Sequence, residues 1–137
     1  MKIDGVCHCG AITYEAELDP ALVGICHCAD CQALSASAFR TLAIVESESF
    51  ELLTGTPEHY VKVGDSGNPR VQAFCPGCGS GLYSCGVEDK PAAYNLRAGT
   101  IRQRAELAPS FECWTRSRLQ WVTEIPGAKQ FEGNPNA

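Results

Sequence analysis

The sequence predicts a single, mainly β domain built from short antiparallel strands, with little helix. Short apolar or β-branched runs alternate with polar residues, turn-forming residues separate these runs, and no segment keeps a helical apolar stripe for three turns. A chain of 137 residues is long enough for one hydrophobic core and too short for two. Its content of 45% hydrophobic and 20% charged residues is typical of an ordinary folded domain.

The predicted strands follow one another along the chain. In the first, apolar residues alternate with polar ones and therefore share one face: Ile12, Tyr14, Ala16 and Leu18. Later runs rich in β-branched or aromatic residues predict strands over 22–25, 39–45, 59–63, 71–74 and 93–96. Gly, Pro, Asp, Asn and Ser or Thr residues between these runs predict turns at 19–20, 54–57 and 64–69.

One short helix is predicted over 30–34, directly after a group of cysteines. The Gly-, Pro- and Asn-containing segment 126–137 is predicted to be a peripheral C-terminal extension. No linker divides the chain, so residues 1–137 are expected to form one domain.

Charge and hydropathy restrict the function classes. The net charge of −5 argues against a general binder of nucleic acid or anionic membranes. No apolar run is long enough for a signal peptide or a membrane span. We therefore expect a cytoplasmic protein, in which clustered cysteines bind metal or do redox work rather than form disulfides.

Nine cysteines are the unusual feature of the composition. Because nine is odd, a closed set of disulfides would leave at least one thiol over. Cys85 and Cys113 stand alone. The other seven form three tight groups: Cys7-His8-Cys9, Cys26-His27-Cys28-Ala29-Asp30-Cys31 and Cys75-Pro76-Gly77-Cys78.

The first and third groups each supply a pair of sulfur atoms. In an extended Cys-x-Cys segment both sulfurs lie on one face and the intervening histidine points away. In the third group, Pro76 and Gly77 favour a tight turn that brings two sulfurs together. Two such pairs make a closed tetrahedral zinc site. The predicted four-cysteine cluster consists of Cys7, Cys9, Cys75 and Cys78.

The middle group supplies three thiolates within six residues. We call Cys26, Cys28 and Cys31 the cysteine triplet. Three protein ligands with an open fourth position are the arrangement of a catalytic zinc site. A zinc ion held there would bind an incoming thiol and keep it as a nucleophilic thiolate.

Other interpretations of the cysteines stay open at this point. Cys75 and Cys78 could form a redox pair, although no βαβ pattern adjoins them. All seven clustered cysteines could hold purely structural zinc, with His8, His27 or Cys85 completing the second site. Cys85 and Cys113 are otherwise expected to be buried as small hydrophobic residues.

In this order, the three cysteine motifs resemble the glutathione-dependent formaldehyde-activating (GFA) family, also called the centromere protein V/GFA domain. The resemblance covers nearly the whole chain. It extends to the flanking Gly5-Val6, Ser37-Ala38-Phe39, Phe74, Gly79-Ser80, Ala98-Gly99-Thr100, Ser117-Arg118 and Phe131-Glu132.

The resemblance implies a β-tent fold with two zinc ions per chain. It assigns the structural zinc to the four-cysteine cluster and the catalytic zinc to the cysteine triplet. The implied reaction is condensation of formaldehyde with glutathione to S-(hydroxymethyl)glutathione, a carbon–sulfur lyase reaction in the reverse sense. Glu112 departs from the family, since members often carry histidine there.

Several polar residues beside these motifs are further candidates. Five of the seven arginines, which we call the late arginines, lie late in the chain: Arg97, Arg102, Arg104, Arg116 and Arg118. They either converge to bind carboxylates or form a solvated face paired with glutamates. Asp30 either orients a bound water or thiol or caps the short helix. His27 is either a proton shuttle or a structural histidine.

The sequence thus predicts a zinc-dependent, carbon–sulfur lyase-like enzyme acting on a small thiol adduct. Its expected partners are a small thiol such as glutathione and a small carbonyl compound, with neither nucleic acid nor membrane. The alternative is a non-enzymatic, zinc-stabilised binding module that uses an arginine-rich face.

Overall fold

Eleven strands in two sheets form the described part of the chain, residues 1–64 and 67–135 of a computed structural model. The strands are β1 (Lys2–Val6), β2 (Thr13–Glu17), β3 (Val23–Cys26), β4 (Arg40–Glu46), β5 (Phe50–Thr54), β6 (Glu58–Val63), β7 (Pro69–Phe74), β8 (Gly81–Cys85), β9 (Ala93–Arg97), β10 (Phe111–Cys113) and β11 (Lys129–Gln130). The α-helix is α1 (Ala29–Ser35). Short 3-10 helices span Pro20–Leu22, Ser47–Ser49, Ala98–Thr100, Arg104–Glu106 and Thr115–Ser117.

The small sheet has three antiparallel strands in the order β1-β2-β5. The large sheet has eight strands in the order β11-β10-β3-β4-β9-β8-β7-β6. Its pairs are antiparallel except that β10 runs parallel to both β3 and β11. The parallel pairs depart from the predicted antiparallel arrangement. A parallel pair needs a long crossover, and here the whole chain from β4 to β9 lies between β3 and β10.

The main hydrophobic core joins the two sheets. The predicted alternation in the first strand is confirmed, because its four apolar side chains are all buried there. Phe50 of the small sheet packs against Tyr83 and Tyr94 of the large sheet, with ring centroids 5.5 and 4.6 Å apart. Edge-on and tilted aromatic contacts of this kind add to the stabilisation from burial.

Period-two alternation gives the large sheet a core face and an outer face. On β4, Ala43 and Val45 lie in the main core, whereas Arg40 and Leu42 face the other side. The outer face becomes the wall of a cleft, described below. The same strands therefore build the core and present side chains to a ligand.

The predicted fold class is confirmed: the protein is mainly β with one short α-helix in its described residues. The predicted strands coincide with β2, β3, β4, β6, β7 and β9, and the predicted helix is α1. Strands β1, β5, β8, β10 and β11 are not among the predicted ones. No helix in the described ranges is both long and apolar enough to traverse a bilayer.

Two predicted segments fall partly outside the described residues. The predicted turn 64–69 includes residues 65 and 66, and the predicted extension 126–137 includes residues 136 and 137. Within the extension, Lys129–Gln130 forms β11 at the edge of the large sheet. The segment thus adds a strand beside β10.

We predict that Gly5→Ala lowers the free energy of unfolding by about 1–3 kcal/mol, as overpacking does. Gly5 pairs with Tyr14 across β1 and β2, and a Cβ atom on Gly5 would lie 2.0 Å from the tyrosine ring. Denaturant unfolding of the metal-loaded protein measures the change. Gly99→Ala is the matched control, because nothing lies within 4 Å of its Cβ position. Equal effects of the two substitutions would contradict the packing described here.

Candidate metal centre and cleft

The four-cysteine cluster is built from two tight turns. Cys7 follows β1 in a turn where the Gly10 amide donates to the Cys7 carbonyl over 3.0 Å, with Gly10 at φ +84°. Cys75 follows β7, and the Gly79 amide donates to its carbonyl over 2.7 Å with φ +78°. Both glycines adopt the left-handed conformation that other residues rarely take. Because one turn follows a strand of the small sheet and the other follows a strand of the large sheet, the two sheets meet at these turns.

The sulfur atoms of this cluster have the spacing of a tetrahedral metal site. Cys7, Cys9, Cys75 and Cys78 have sulfur atoms all within 4.8 Å of one another. The Cys9 sulfur lies 3.6 Å from that of Cys7 and 3.7 Å from that of Cys75. Four sulfurs about 2.3 Å from a tetrahedral zinc ion lie about 3.8 Å apart. The donor set therefore fits zinc.

Neighbouring groups donate hydrogen bonds to these sulfurs. The Ile12 amide donates to the Cys7 sulfur over 3.3 Å, and the Ser80 hydroxyl lies 3.2 Å from the Cys78 sulfur. Hydrogen bonds from the Ser80 side chain and backbone lower the pKa of the Cys78 thiol to about 5. Such donors favour the thiolate form that a metal requires.

The cysteine triplet lies where β3 leads into α1. Cys26 ends β3, Cys28 is the N-cap of α1, and Cys31 lies in its first turn. The three sulfur atoms are all within 4.8 Å of one another. The Cys31 amide donates to the Cys28 sulfur over 3.3 Å, so the cap itself orients one candidate ligand. The grouping of the seven cysteines into four and three agrees with the spacing of the motifs.

Close packing of the three sulfurs redistributes their protons. Hydrogen bonds from the thiols of Cys26 and Cys31 lower the pKa of Cys28 to about 2. The pKa of Cys31 is raised, first by its hydrogen bonds with Cys26 and Cys28. Three adjacent thiolates repel one another, and a divalent cation removes that cost. The triplet could therefore hold a metal ion in thiolate form.

Cys85 and Cys113 are both buried, as predicted. Cys85 is remote from the two clusters, whereas Cys113 is not. Cys113 lies opposite Cys26 in the parallel pairing of β10 with β3. Its thiol is also the first cause of the raised pKa of Cys26. The Cys113 sulfur is not within 4.8 Å of all three sulfurs of the triplet, so the candidate metal site has three cysteine ligands rather than four.

The triplet opens into a cleft of about 1180 Å³ on the outer face of the large sheet. None of the four-cysteine cluster lines this cleft. Its apolar part includes Leu42, Ile44, Phe111 and Phe131. Among the described residues, the charged ones that line it are all basic: Arg40, Lys62, Arg70, Arg97 and Lys129. The cleft is therefore positive although the chain carries a net charge of −5.

Comparison with known families decides the relationship. The model of the glutathione-dependent formaldehyde-activating enzyme family matches residues 2–117. The chain belongs to the GFA family. This confirms the resemblance inferred from its cysteine motifs.

Solved structures add support for the fold. The crystal structure of a Rhodobacter sphaeroides protein matches with a TM-score of 0.55 and 19% sequence identity. The match covers 93% of this GFA-family chain and 98% of that one. None of the curated proteins matches the chain.

Glu112 forms a buried pair with His27. The His27 Nε2–H donates to Glu112 Oε1 over 2.7 Å, and the two side chains are 0% and 1% exposed. The second carboxylate oxygen accepts from the Gln130 side chain at 2.8 Å and the Ile125 amide at 3.0 Å. Arg118 lies 3.4 Å from the first oxygen. His27 is thus structural rather than a cleft residue.

These contacts keep the Glu112 carboxylate charged. Burial alone would raise its pKa, but hydrogen bonds from Gln130, Ile125 and His27 and the charge of Arg118 lower it to about 2. A buried carboxylate is tolerated when every oxygen is satisfied in this way. Because Gln130 belongs to β11, these hydrogen bonds hold the C-terminal segment in place beside the triplet.

Asp30 does not have the capping role that was one of its two predicted roles. Cys28, not Asp30, is the N-cap of α1. The Asp30 carboxylate accepts from the Lys62 ammonium group over 2.8 Å and is half exposed. It does not line the cleft, although it lies in the first turn of α1 where a negative charge is favourable.

The late arginines do not converge. Among the described residues, only Arg97 of the five lines the cleft. Arg102 pairs with Asp4 at 2.8 Å, and Arg118 pairs with Glu112. Arg116 lies over the Trp114 ring, 5.3 Å from its centroid. Different strands and turns carry them to different surfaces.

Sequence reasoning missed two arginines that do face the cleft. Arg40 and Arg70 lie on β4 and β7 and are far from Arg97 in sequence. Period-two alternation within 40–46 and 69–74 could have placed them opposite the core residues. Sequence alone does not reveal that both strands flank β9 and β8.

We predict that Glu112→Gln lowers the free energy of unfolding at neutral pH by about 3 kcal/mol, because it leaves the charge of Arg118, whose side chain is only 17% exposed, poorly compensated. Denaturant unfolding of metal-loaded protein measures the loss. Glu124→Gln is the control, since Glu124 lies 3.9 Å from the same arginine but is 65% exposed. Exposed pairs contribute at most about 1 kcal/mol. A loss from Glu124→Gln as large as that from Glu112→Gln would contradict the role of burial.

Proposed function

We propose that the protein is a zinc-dependent carbon–sulfur lyase-like enzyme that acts on a small thiol adduct. In the synthetic direction a thiol such as glutathione would add to a small carbonyl compound such as formaldehyde. The S–C bond forms as the carbonyl double bond opens, and the thiol proton passes to the new hydroxyl. Membership of the GFA family supports this reaction class.

The observation that carries the proposal is the different placement of the two cysteine sets. The cysteine triplet lines the cleft, whereas the four-cysteine cluster does not. We propose that Cys7, Cys9, Cys75 and Cys78 hold a structural zinc ion and that Cys26, Cys28 and Cys31 hold a catalytic one. Catalytic zinc sites keep a position open to substrate, and structural sites are closed.

The proposal assigns roles to the cysteine triplet, to the elements that hold it and to the apolar side chains of the cleft. Zinc bound by the triplet would supply a positive charge that lowers the pKa of an incoming thiol. Cys28, held at the N-cap of α1, and Cys26, held by β3, fix the sulfur geometry at the cleft wall. The apolar side chains of Phe111 and Phe131 line the approach and limit water there.

The competing function is a non-enzymatic, zinc-stabilised module. It would require a fourth protein ligand at the triplet, for which Cys113 is the nearest cysteine. Because the Cys113 sulfur is not within 4.8 Å of all three sulfurs of the triplet, this arrangement supports an enzyme rather than such a module. The late arginines, from which the sequence predicted the binding face of such a module, do not lie together: only Arg97 of the five lines the cleft among the described residues. We also propose a cytoplasmic location, where a reducing environment keeps these thiols available for metal.

We predict that Cys28→Ser and Cys78→Ser have different effects although each removes one sulfur. Serine keeps an N-cap at position 28, so the first variant should fold, retain one of two zinc ions and lose acceleration of adduct exchange. The second should lose its fold, because metal binding at the closed site contributes directly to folding. Metal analysis, circular dichroism and exchange NMR with glutathione and formaldehyde provide the measurements.

Cys85→Ala is the control for these substitutions, because Cys85 is buried but belongs to neither sulfur cluster. It should keep two zinc ions and the exchange activity. Equal loss of folding in the Cys28 and Cys78 variants would overturn the division between a catalytic and a structural site.

A further inference from the structure

The cleft is divided between an apolar half and a polar half. The apolar half comes from β4, β10 and the residue after β11, and its side chains, which we call the apolar wall, are Leu42, Ile44, Phe111 and Phe131. The polar half comes from β7, β8 and β9 and is lined by Arg70, Gln72, Ser84, Asn95 and Arg97. Because β3 pairs with β10 on one side and β4 on the other, its Cys26 lies in the apolar half.

The apolar wall and the cysteine triplet belong to one cluster of side chains. Cys26, Leu42 and Phe111 are buried together, and Ile44 and Phe131 pack against this cluster. The Phe111 and Phe131 rings meet edge-on with centroids 6.4 Å apart.

A glycine brings one ring of the wall close to β3. Gly24 pairs with Phe111 in the parallel register of β3 and β10, and a Cβ atom on Gly24 would lie 2.3 Å from the phenyl ring. Cys26 follows Gly24 by two residues and therefore faces the same side of the sheet. An aromatic surface thus lies beside the triplet because the sequence leaves room for it there.

Part of the apolar surface is open to the cleft. Ile44 and Phe131 are only partly buried, and Leu22, from the 3-10 helix before β3, lines the same cleft and is 41% exposed. Contact of these side chains with water is unfavourable, so an apolar group that replaces the water gains free energy on binding.

The charged groups nearest the wall do not make it a polar site. The Arg40 guanidinium is directed into the polar half, where its Nη1 donates to the Gln72 side-chain oxygen over 3.0 Å. Lys129 is exposed, and its ammonium group lies 5.7 Å from the centroid of the Phe131 ring. The wall therefore offers ring and dispersion contacts rather than a partner for a charge.

The proposed reaction places the carbonyl carbon next to this wall. The thiol adds across the carbonyl group: the S–C bond forms, the π electron pair moves to oxygen, and oxygen takes the thiol proton. Any substituent on the carbonyl carbon then lies near the sulfur position at the triplet and hence near the wall. Formaldehyde has only hydrogen there and would leave the wall in contact with water. Glutathione carries two carboxylates, which are costly to place against apolar side chains.

We propose that the carbonyl substrate is an aldehyde with an apolar substituent, of about the size of a phenyl or branched alkyl group, that packs on the apolar wall. The reaction rests on the proposed function, whereas binding of the apolar group rests on the wall alone. A substituent that does not react still raises the rate when it holds the carbonyl carbon beside the sulfur.

The test compares acetaldehyde with phenylacetaldehyde, which differ by one phenyl ring. Exchange NMR with glutathione gives kcat/KM for each aldehyde in zinc-loaded protein, after subtraction of the uncatalysed exchange. Burial of the ring should raise kcat/KM for phenylacetaldehyde about ten-fold or more above that for acetaldehyde. A ratio near one would overturn the proposal.

Two substitutions in the wall locate the effect. Phe131→Ala should lower the ratio of the two kcat/KM values about five-fold or more, and Ile44→Thr, which keeps a β-branched residue on β4, about two-fold or more. Trp121→Ala is the matched control, because it removes an aromatic ring that is 74% exposed and does not line the cleft. It should leave the ratio unchanged. An unfolding midpoint for each variant shows whether the fold is retained, and a ratio that stays at the wild-type value in both folded wall variants would overturn the proposal.

A matched pair of thiols tests which substrate the wall binds. Ethanethiol and 2-phenylethanethiol are compared with acetaldehyde as the common carbonyl compound. A phenyl ring on the thiol should give less than about a two-fold advantage. A phenyl advantage that appears with the thiols and not with the aldehydes would overturn the assignment of the wall to the carbonyl substrate.

Unreactive alcohols separate this inference from the proposed function. NMR titration should show that 2-phenylethanol binds the zinc-loaded protein about ten-fold or more tightly than ethanol and that Phe131→Ala weakens its binding. If 2-phenylethanol binds in this way but no thiol adds to either aldehyde, the apolar subsite stands and the proposed reaction fails. If acetaldehyde reacts while phenylacetaldehyde has no advantage and 2-phenylethanol does not bind, the reaction stands and the subsite fails.

Discussion

Four sulfur atoms join the two sheets, two from the turn after β1 and two from the turn between β7 and β8. A metal ion bound at this junction, as we propose, fixes how the small sheet covers one face of the large sheet. Because the core is formed on that face, the other face of β4, β7 and β9 stays free to line a cleft. The cysteine triplet lies on the same free side, at the end of β3. The candidate site therefore depends on a cluster that does not itself belong to it.

The large sheet serves packing and binding through one simple rule, the alternation of side chains along each strand. Val71 and Ala73 of β7 enter the core, whereas Arg70 and Gln72 face the cleft. A shift of register by one residue would exchange these sets and bury the arginine. The buried pair of Glu112 with His27 adds a second constraint, because it holds β10 and β11 beside the triplet.

The two cysteine clusters could be predicted from spacing within each motif, whereas the other residues of the cleft come together only through strands that are distant in sequence. Cys7 and Cys9, or Cys75 and Cys78, lie close in sequence, so geometry within a few residues already directs their sulfurs. Arg40, Arg70 and Arg97 come together only through the strand order of the large sheet, which no local pattern encodes. Cys113 reaches Cys26 through a parallel pairing that spans most of the chain. Strands β10 and β11 are too short to show a period.

The central claim is that one sulfur cluster is closed and the other is open to a thiol. X-ray absorption at the zinc edge tests this directly in the fully zinc-loaded protein. The account predicts an average of between three and four sulfur ligands per zinc at rest, with a lighter ligand completing the shell. Saturation with a thiol substrate should raise the average to four as that lighter ligand is lost. Four sulfurs per zinc before any thiol is added, with no change afterwards, would show a closed second site and contradict the account.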